Sequence, residues 1–167
     1  ISSTSISRLL HKLRKAKLTN VRILKLGAQF AVKHLFAEGS LESIVVNFPD
    51  PWPKDKHIDH RLLQRSFYYV AANRLKTGGT VRLATDHPEY LAFAKEEAVA
   101  SNVFKLRDDP APEAVFATKY ALKWKAQGKP LYYQAFETLG HDYPVTTIKP
   151  LVTMERSVMP HALLTGQ

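Results

Sequence analysis

The sequence of 167 residues contains no cysteine, which excludes disulfide bonds, thiolate metal ligands and a cysteine nucleophile. It also lacks an apolar run long enough for a membrane span and a charged-then-apolar leader, so we expect a soluble intracellular protein. No serine lies in a G-x-S-x-G turn, and acyl transfer therefore has no support. A hydrophobic content of 45% is enough for one domain with a real core.

Acidic residues are absent before Glu38, although eight lysines and arginines lie in that part of the chain, and the net charge is +9. A second group of cations follows a proline-rich stretch and consists of Lys54, Lys56, Arg61 and Arg65. Positive charge that is concentrated in one part of a chain attracts polyanions, and the release of their counterions favours binding. For the first group, a solvated helix face is an equally good interpretation. For the second group, the sequence favours nucleic acid.

Glycine-rich turns are scarce, since no G-x-G occurs and Gly78-Gly79 is the sole adjacent pair. Apolar periodicity nevertheless predicts alternating elements. The expected helices are residues 5–17, Gln29–Phe36, His60–Leu75 and Pro88–Ala100, and the expected strands are Val21–Leu26, Ser43–Asn47, Thr80–Ala84, Val103–Leu106 and Leu131–Glu137. Such alternation predicts an α/β fold with a mostly parallel sheet, to which the last two strands add an antiparallel edge pair. Because a doubly wound sheet normally opens with a strand and a glycine loop, we expect the start of the domain to be missing.

The run Asn47–Lys54 reads Asn-Phe-Pro-Asp-Pro-Trp-Pro-Lys and follows the apolar strand directly. Proline fixes its own φ and disfavours helical geometry before it, so we expect extended backbone at Phe48, Asp50 and Trp52. Ligands bind at the carboxyl ends of strands in open α/β sheets, which makes Asp50 a candidate site residue. A stiff turn that only ends the strand is the alternative. The nearby indole and cations favour the functional interpretation.

Four motifs occur together in this chain, namely Asn47–Lys54, Arg74–Gly79, Thr85-Asp86 and Thr118–Tyr120. In this order and spacing they resemble the bacterial tRNA (guanine-N(7)-)-methyltransferases, which have a Rossmann-like fold. The likeness covers residues 1–137 and implies a partial methyltransferase domain without its first strand and glycine loop, followed by an extension over residues 138–167. It further implies S-adenosylmethionine as cofactor, tRNA as partner and a cytoplasmic location. From the residues themselves we expect neither a membrane span nor a metal.

The resemblance also implies roles for individual residues. Asp50 would be the catalytic residue and would contact the cofactor. The substrate-binding residues would be Lys54, Asp86, Thr118, Lys119 and Tyr120, and the RNA-facing residues would be Lys56, His57 and Arg61. Two departures from the family pattern stand out: Ala121 replaces a glutamate, and no carboxylate lies near Gly27, where the family contacts adenine.

Several alternatives remain open at this stage. A degenerate methyltransferase fold could bind RNA without catalysis, and a third possibility is methylation of an exocyclic amine, since the loop loosely resembles D-P-P-[FYW]. Trp52 could stack on a base or fill the core, and Asp86 could simply cap a helix. The H-x-x-H pair His57 and His60 suggests a metal, but the sequence supplies no firm third ligand, and basic neighbours repel cations.

Overall fold

The computed structural model of the chain describes residues 3–140, without the side chain of Asp55. The helices are α1 Ser3–Lys15, α2 Ala28–Leu35, α3 Arg65–Arg74, α4 Pro88–Ala100, α5 Glu113–Phe116 and α6 Lys119–Ala126, with a 3-10 helix at Asp55–His60. The strands are β1 Leu41–Asn47, β2 Leu75–Thr85, β3 Phe104–Arg107 and β4 Tyr132–Thr138. From residue 141 onward, the extension predicted for 138–167 lies outside the described residues.

The sheet has four strands in the order β1-β2-β4-β3. Strands β1 and β2 are parallel, whereas β4 runs antiparallel to both β2 and β3. Helix α3 connects the parallel pair, as expected for a βαβ unit. The predicted α/β fold with an antiparallel pair at one edge is therefore confirmed.

The core lies on one face of the sheet, beneath α3 and α4. Helix α3 packs on β2, helix α4 packs across β2, β4 and β3, and the two helices contact each other. Phe67, Tyr68 and Tyr90 are fully buried there against Val81 and Leu83 of β2. Truncating one of the large aromatic side chains costs about 3–5 kcal/mol of stability in a core of this kind. This packing fixes the carboxyl ends of β1 and β2, where the candidate site lies.

Two sequence predictions in the first half of the chain are wrong. Residues 21–26 form no strand, because a strand needs a ladder partner and none of the described strands pairs with them. The helix expected over His60–Leu75 begins only at Arg65, and the 3-10 helix precedes it. Leu63 is nevertheless fully buried, so the apolar period correctly indicated burial but not helical backbone.

Strand β2 begins five residues earlier than predicted. Leu41 pairs with Leu75 but Ser43 pairs with Thr80, so β2 bulges between these two contacts. Gly78, with φ of 74°, and Gly79 lie in the bulge. Helices α5 and α6 were not expected either, although Thr118 caps α6 by accepting a hydrogen bond from the Ala121 amide over 3.2 Å.

Helix α1 is amphipathic, as its apolar spacing predicts, and its basic residues lie from Arg8 onward. Leu9 and Leu10 on this helix are each 43% exposed. Within residues 3–140, no helix has both the length and the apolar character required to cross a membrane.

Candidate active site

Three segments meet at the carboxyl ends of β1 and β2. They are the proline loop, which we define as Phe48–Lys54, residue Asp86 after β2, and the start of α6. The loop continues the ladder for one residue, because the Phe48 amide donates to the Ala84 carbonyl over 2.8 Å. This edge of a parallel pair is where open α/β sheets bind ligands.

Tyr120 connects the three segments. Its ring packs against the Phe48 ring with centroids 4.7 Å apart, and its hydroxyl donates to Asp86 Oδ2 over 3.2 Å. Burial raises the pKa of the Tyr120 hydroxyl, and the charge of Asp86 raises it further, although contact with the Trp124 indole lowers it. Tyr120 therefore stays protonated and remains a donor at neutral pH.

Asp50 lies in the proline loop with an exposed side chain. Its carboxylate has no hydrogen bond or ion pair with any described residue. A carboxylate at this edge of the sheet that none of the described side chains contacts is available to a ligand. The structure therefore places Asp50 where the sequence prediction requires it, although its catalytic role stays a prediction.

The backbone of the loop differs from the extended geometry that the prolines predict. Phe48 has φ of 49° and Trp52 has φ of 45°, so both residues before a proline are left-handed. A left-handed residue other than glycine costs about 1–3 kcal/mol and persists where the surroundings determine it. The expectation is thus wrong for these two aromatic residues, and the loop is held by contacts from outside it.

Arg61 supplies such contacts. Its Nε donates to the Pro51 carbonyl over 3.0 Å, and its Nη2 donates to the Trp52 carbonyl over 3.3 Å. Only 8% of the residue is exposed, and the guanidinium carbon lies 4.7 Å from the centre of the Phe93 ring. The structure therefore contradicts the RNA-facing position implied by the resemblance, because the side chain points into the protein.

The other basic residues near the loop do face outward. Lys54 and Lys56 are exposed and form no ion pair with a described carboxylate, whereas His57 is half-buried. The Trp52 ring contacts both histidines, with centroids 5.6 Å from His57 and 4.9 Å from His60. Trp52 is 37% exposed, so it does not fill the core. In the part of the chain that the structure describes, no three metal-ligating side chains are grouped.

Thr118 and Asp86 have structural contacts as well. Thr118 caps α6, whereas the N-cap residue of α4 is His87 rather than Asp86. The helix-capping alternative for Asp86 is therefore wrong, and its carboxylate contacts Tyr120 instead. Ala121, which replaces the expected glutamate, is fully buried.

A groove of about 410 Å3 lies between α1 and α6 and is lined by Ser7, Arg8, His11, Lys12 and Lys119. Lys119 precedes Tyr120 directly, so the groove adjoins the site. None of its cations has an ion pair with a described carboxylate. Sequence reasoning identified the basic segment but missed the groove, because residues from α1 and α6 meet there only in the folded chain.

A family model described as "Putative methyltransferase" matches residues 1–134. The tRNA (guanine-N(7)-)-methyltransferase of Thermus thermophilus is 41% identical over 167 residues, which are 100% of this chain and 52% of that protein. The protein of the same name from Deinococcus radiodurans is 44% identical over 99% of this chain and 51% of its own length. A methyltransferase structure from Streptococcus mutans with SAH has a TM-score of 0.48 and 14% identity, over 83% of this chain and 73% of that one. The chain thus spans about half the length of these curated relatives.

Proposed function

The chain belongs to this methyltransferase family, and from that premise we propose that the protein methylates N(7) of guanine in tRNA, with S-adenosylmethionine as methyl donor. The observation that carries the proposal is the position of Asp50. It is an exposed carboxylate that has no partner among residues 3–140, in a constrained loop at the carboxyl end of β1. A tRNA substrate also implies a cytoplasmic location.

The chemistry of guanine N(7) suits a site of this kind. This ring nitrogen carries a free lone pair, so it attacks a methyl group without first losing a proton, and no strong general base is needed. The enzyme must align the reacting atoms and stabilise a purine that becomes cationic. Asp50 can accept hydrogen bonds from the N–H edge of guanine and interact favourably with the developing positive charge.

The described residues suit the positively charged sulfur of the cofactor but not its adenine. S-adenosylmethionine supplies a methyl group on a positively charged sulfur, and the unpartnered carboxylate of Asp50 is a suitable neighbour for such a cation. No carboxylate lies near Gly27, and the sequence offers no G-x-G turn. The assays below therefore require the full-length gene product.

The surroundings of Asp50 suit an RNA substrate. Lys54 and Lys56 carry exposed charges beside the loop, and the groove between α1 and α6 adds Arg8, Lys12 and Lys119. Phosphate contacts position a nucleic acid and make its affinity dependent on salt. The exposed Trp52 ring offers a surface on which an unpaired base can stack.

Methyl transfer from labelled S-adenosylmethionine to unmodified tRNA tests the proposal, with the methylated nucleoside identified after digestion. We expect 7-methylguanosine. Absence of methyl transfer with cofactor binding intact would refute the proposal. Salt-dependent binding of tRNA without any binding of cofactor would indicate the RNA-binding module instead. A methyl group on an exocyclic amine would refute the assignment to N(7).

A further inference from the structure

Arg61 is a buried cation whose surroundings the proposed reaction does not explain. Only 8% of the residue is exposed, and it forms no ion pair with a described carboxylate. Burying a guanidinium is costly unless hydrogen bonds replace those with water. The contacts that Arg61 makes should therefore identify its role.

Both hydrogen bonds reach the residues that follow Asp50. The planar guanidinium donates through Nε to the Pro51 carbonyl and through Nη2 to the Trp52 carbonyl, at 3.0 and 3.3 Å. Prolines at 49, 51 and 53 have no amide hydrogen, so the loop has few backbone donors of its own for these carbonyls. The planar guanidinium of an arginine holds its N–H donors in a fixed geometry that suits two successive carbonyls. The compact ammonium of a lysine has no such fixed pair of donors.

The guanidinium is itself held by helix α4. Its carbon lies 4.7 Å from the centre of the Phe93 ring and 5.7 Å from the centre of the Tyr90 ring. Tyr90 is fully buried, and its hydroxyl accepts a hydrogen bond from the Leu63 amide over 3.3 Å. Arg61 thus connects the buried core to the proline loop, in which Phe48 and Trp52 are left-handed.

We propose that Arg61 is a positioning residue that fixes the direction of the Asp50 carboxylate by holding the Pro51 and Trp52 carbonyls. Its side chain does not contact the RNA. The inference rests on the proposed function, since it assigns Arg61 a role through Asp50. A misplacement of about 1 Å at a reacting centre lowers a rate by about a hundredfold, so a displaced loop would have a large effect.

The test compares Arg61→Lys and Arg61→Gln with the wild-type full-length enzyme. Lysine keeps the positive charge but lacks the planar pair of N–H donors. Glutamine keeps a donor group in its side-chain amide but has no charge. We expect kcat at saturating tRNA and cofactor to fall by about 10- to 100-fold in both variants. The dissociation constant for tRNA should stay within about twofold, and its salt dependence should not change. Lys105→Ala is the control, because Lys105 is an exposed cation on β3, outside the basic residues near the loop, and is already paired with Glu137 over 3.0 Å.

A phosphate contact predicts the opposite pattern. In that case Arg61→Gln would weaken tRNA binding and lower the salt slope by about one, with kcat nearly unchanged, which would overturn the proposal. Loss of folding in both variants, seen as a missing cooperative unfolding transition, would assign Arg61 to stability alone and would also overturn it.

The double variant Asp50→Ala/Arg61→Lys separates action through Asp50 from a general defect. If Arg61 acts through Asp50, the double variant is as slow as Asp50→Ala, because nothing remains to be positioned. If the two substitutions instead lowered the rate by the product of their separate effects, the inference would be refuted. If Asp50→Ala alone left the rate unchanged, the proposed function itself would fail, so the two failures are distinguishable.

Discussion

The Tyr120 hydroxyl donates a hydrogen bond to Asp86 Oδ2 over 3.2 Å and so joins the first turn of α6 to the end of β2. The two residues are 34 positions apart in the chain. The same tyrosine ring contacts Phe48 in the proline loop. This side chain therefore fixes the positions of the two candidate substrate-binding segments relative to the loop that carries Asp50.

Removing the Tyr120 hydroxyl should loosen the site without disrupting it. Tyr120→Phe keeps the ring contact with Phe48 but leaves Asp86 without its partner. Because the bond is partly exposed, we expect kcat/KM for tRNA to fall by about fivefold, equivalent to about 1 kcal/mol. Tyr132→Phe is the control, since its hydroxyl has no hydrogen bond to a described residue. An equal effect of both substitutions would contradict the assignment.

Alkaline pH should destabilise the protein through Tyr68. Burial raises the pKa of the Tyr68 hydroxyl well above its usual value, and Tyr90 and Glu97 raise it further. Above the unfolded pKa of about 10, the folded state holds a proton that the unfolded state has lost, so the free energy of unfolding falls as pH rises. Denaturant titrations from pH 8 to about 11 should show a shallower decline for Tyr68→Phe than for wild type. Parallel declines would show that Tyr68 does not contribute.

The two adjacent glycines in the β2 bulge should differ in their tolerance of a side chain. A Cβ on Gly79 would lie 2.8 Å from the Lys76 carbonyl oxygen and 3.1 Å from that of Glu42. Gly78 has open space, but its φ of 74° disfavours other residues. We expect Gly78→Ala to cost about 1 kcal/mol of unfolding free energy and Gly79→Ala about 2 kcal/mol or more. Chemical denaturation measures both, and a larger loss at Gly78 would contradict the close approach.

The groove between α1 and α6 should contribute to tRNA affinity. The variant Arg8→Ala/Lys12→Ala removes two charges that line the groove. We expect the slope of log K against log salt to fall by about one to two. Arg14→Ala/Lys15→Ala removes two charges from the same helix outside the groove and should change the slope by less. Equal changes would mean that the helix acts only through its total charge.

The sequence predicts those parts of the fold where apolar periodicity and turn residues agree. Helix α4 was predicted at its observed bounds, since a proline is favoured in the first turn of a helix and begins this one. The apolar segment Val21–Leu26 failed as a strand, because periodicity reports a favourable residue pattern but not whether a ladder partner exists. Leu63 shows the same limit, since burial can come from a loop as well as from a helix.

The position of Asp50 was predictable from one short motif, whereas its role stays a prediction. The prolines around Asp50 indicated a constrained carboxylate, and the structure places it exposed at the end of β1. The inward position of Arg61 was not predictable from composition, because a basic residue near a site is normally expected at the surface. One signal was present: a loop with three prolines has few amide donors, which favours donors from elsewhere in the chain for its carbonyls.

Asp50 is the residue on which the proposed function depends most directly. The decisive measurement is the single-turnover rate of 7-methylguanosine formation in tRNA by Asp50→Ala and Asp50→Asn in the full-length enzyme, with tRNA affinity measured in parallel. Loss of a positioned charge that stabilises the transition state lowers a rate by about 100- to 1,000-fold, so we expect a loss of that size with the dissociation constant for tRNA within about twofold. A rate within about tenfold of wild type in both variants, or an equal loss of rate and affinity, would contradict the account.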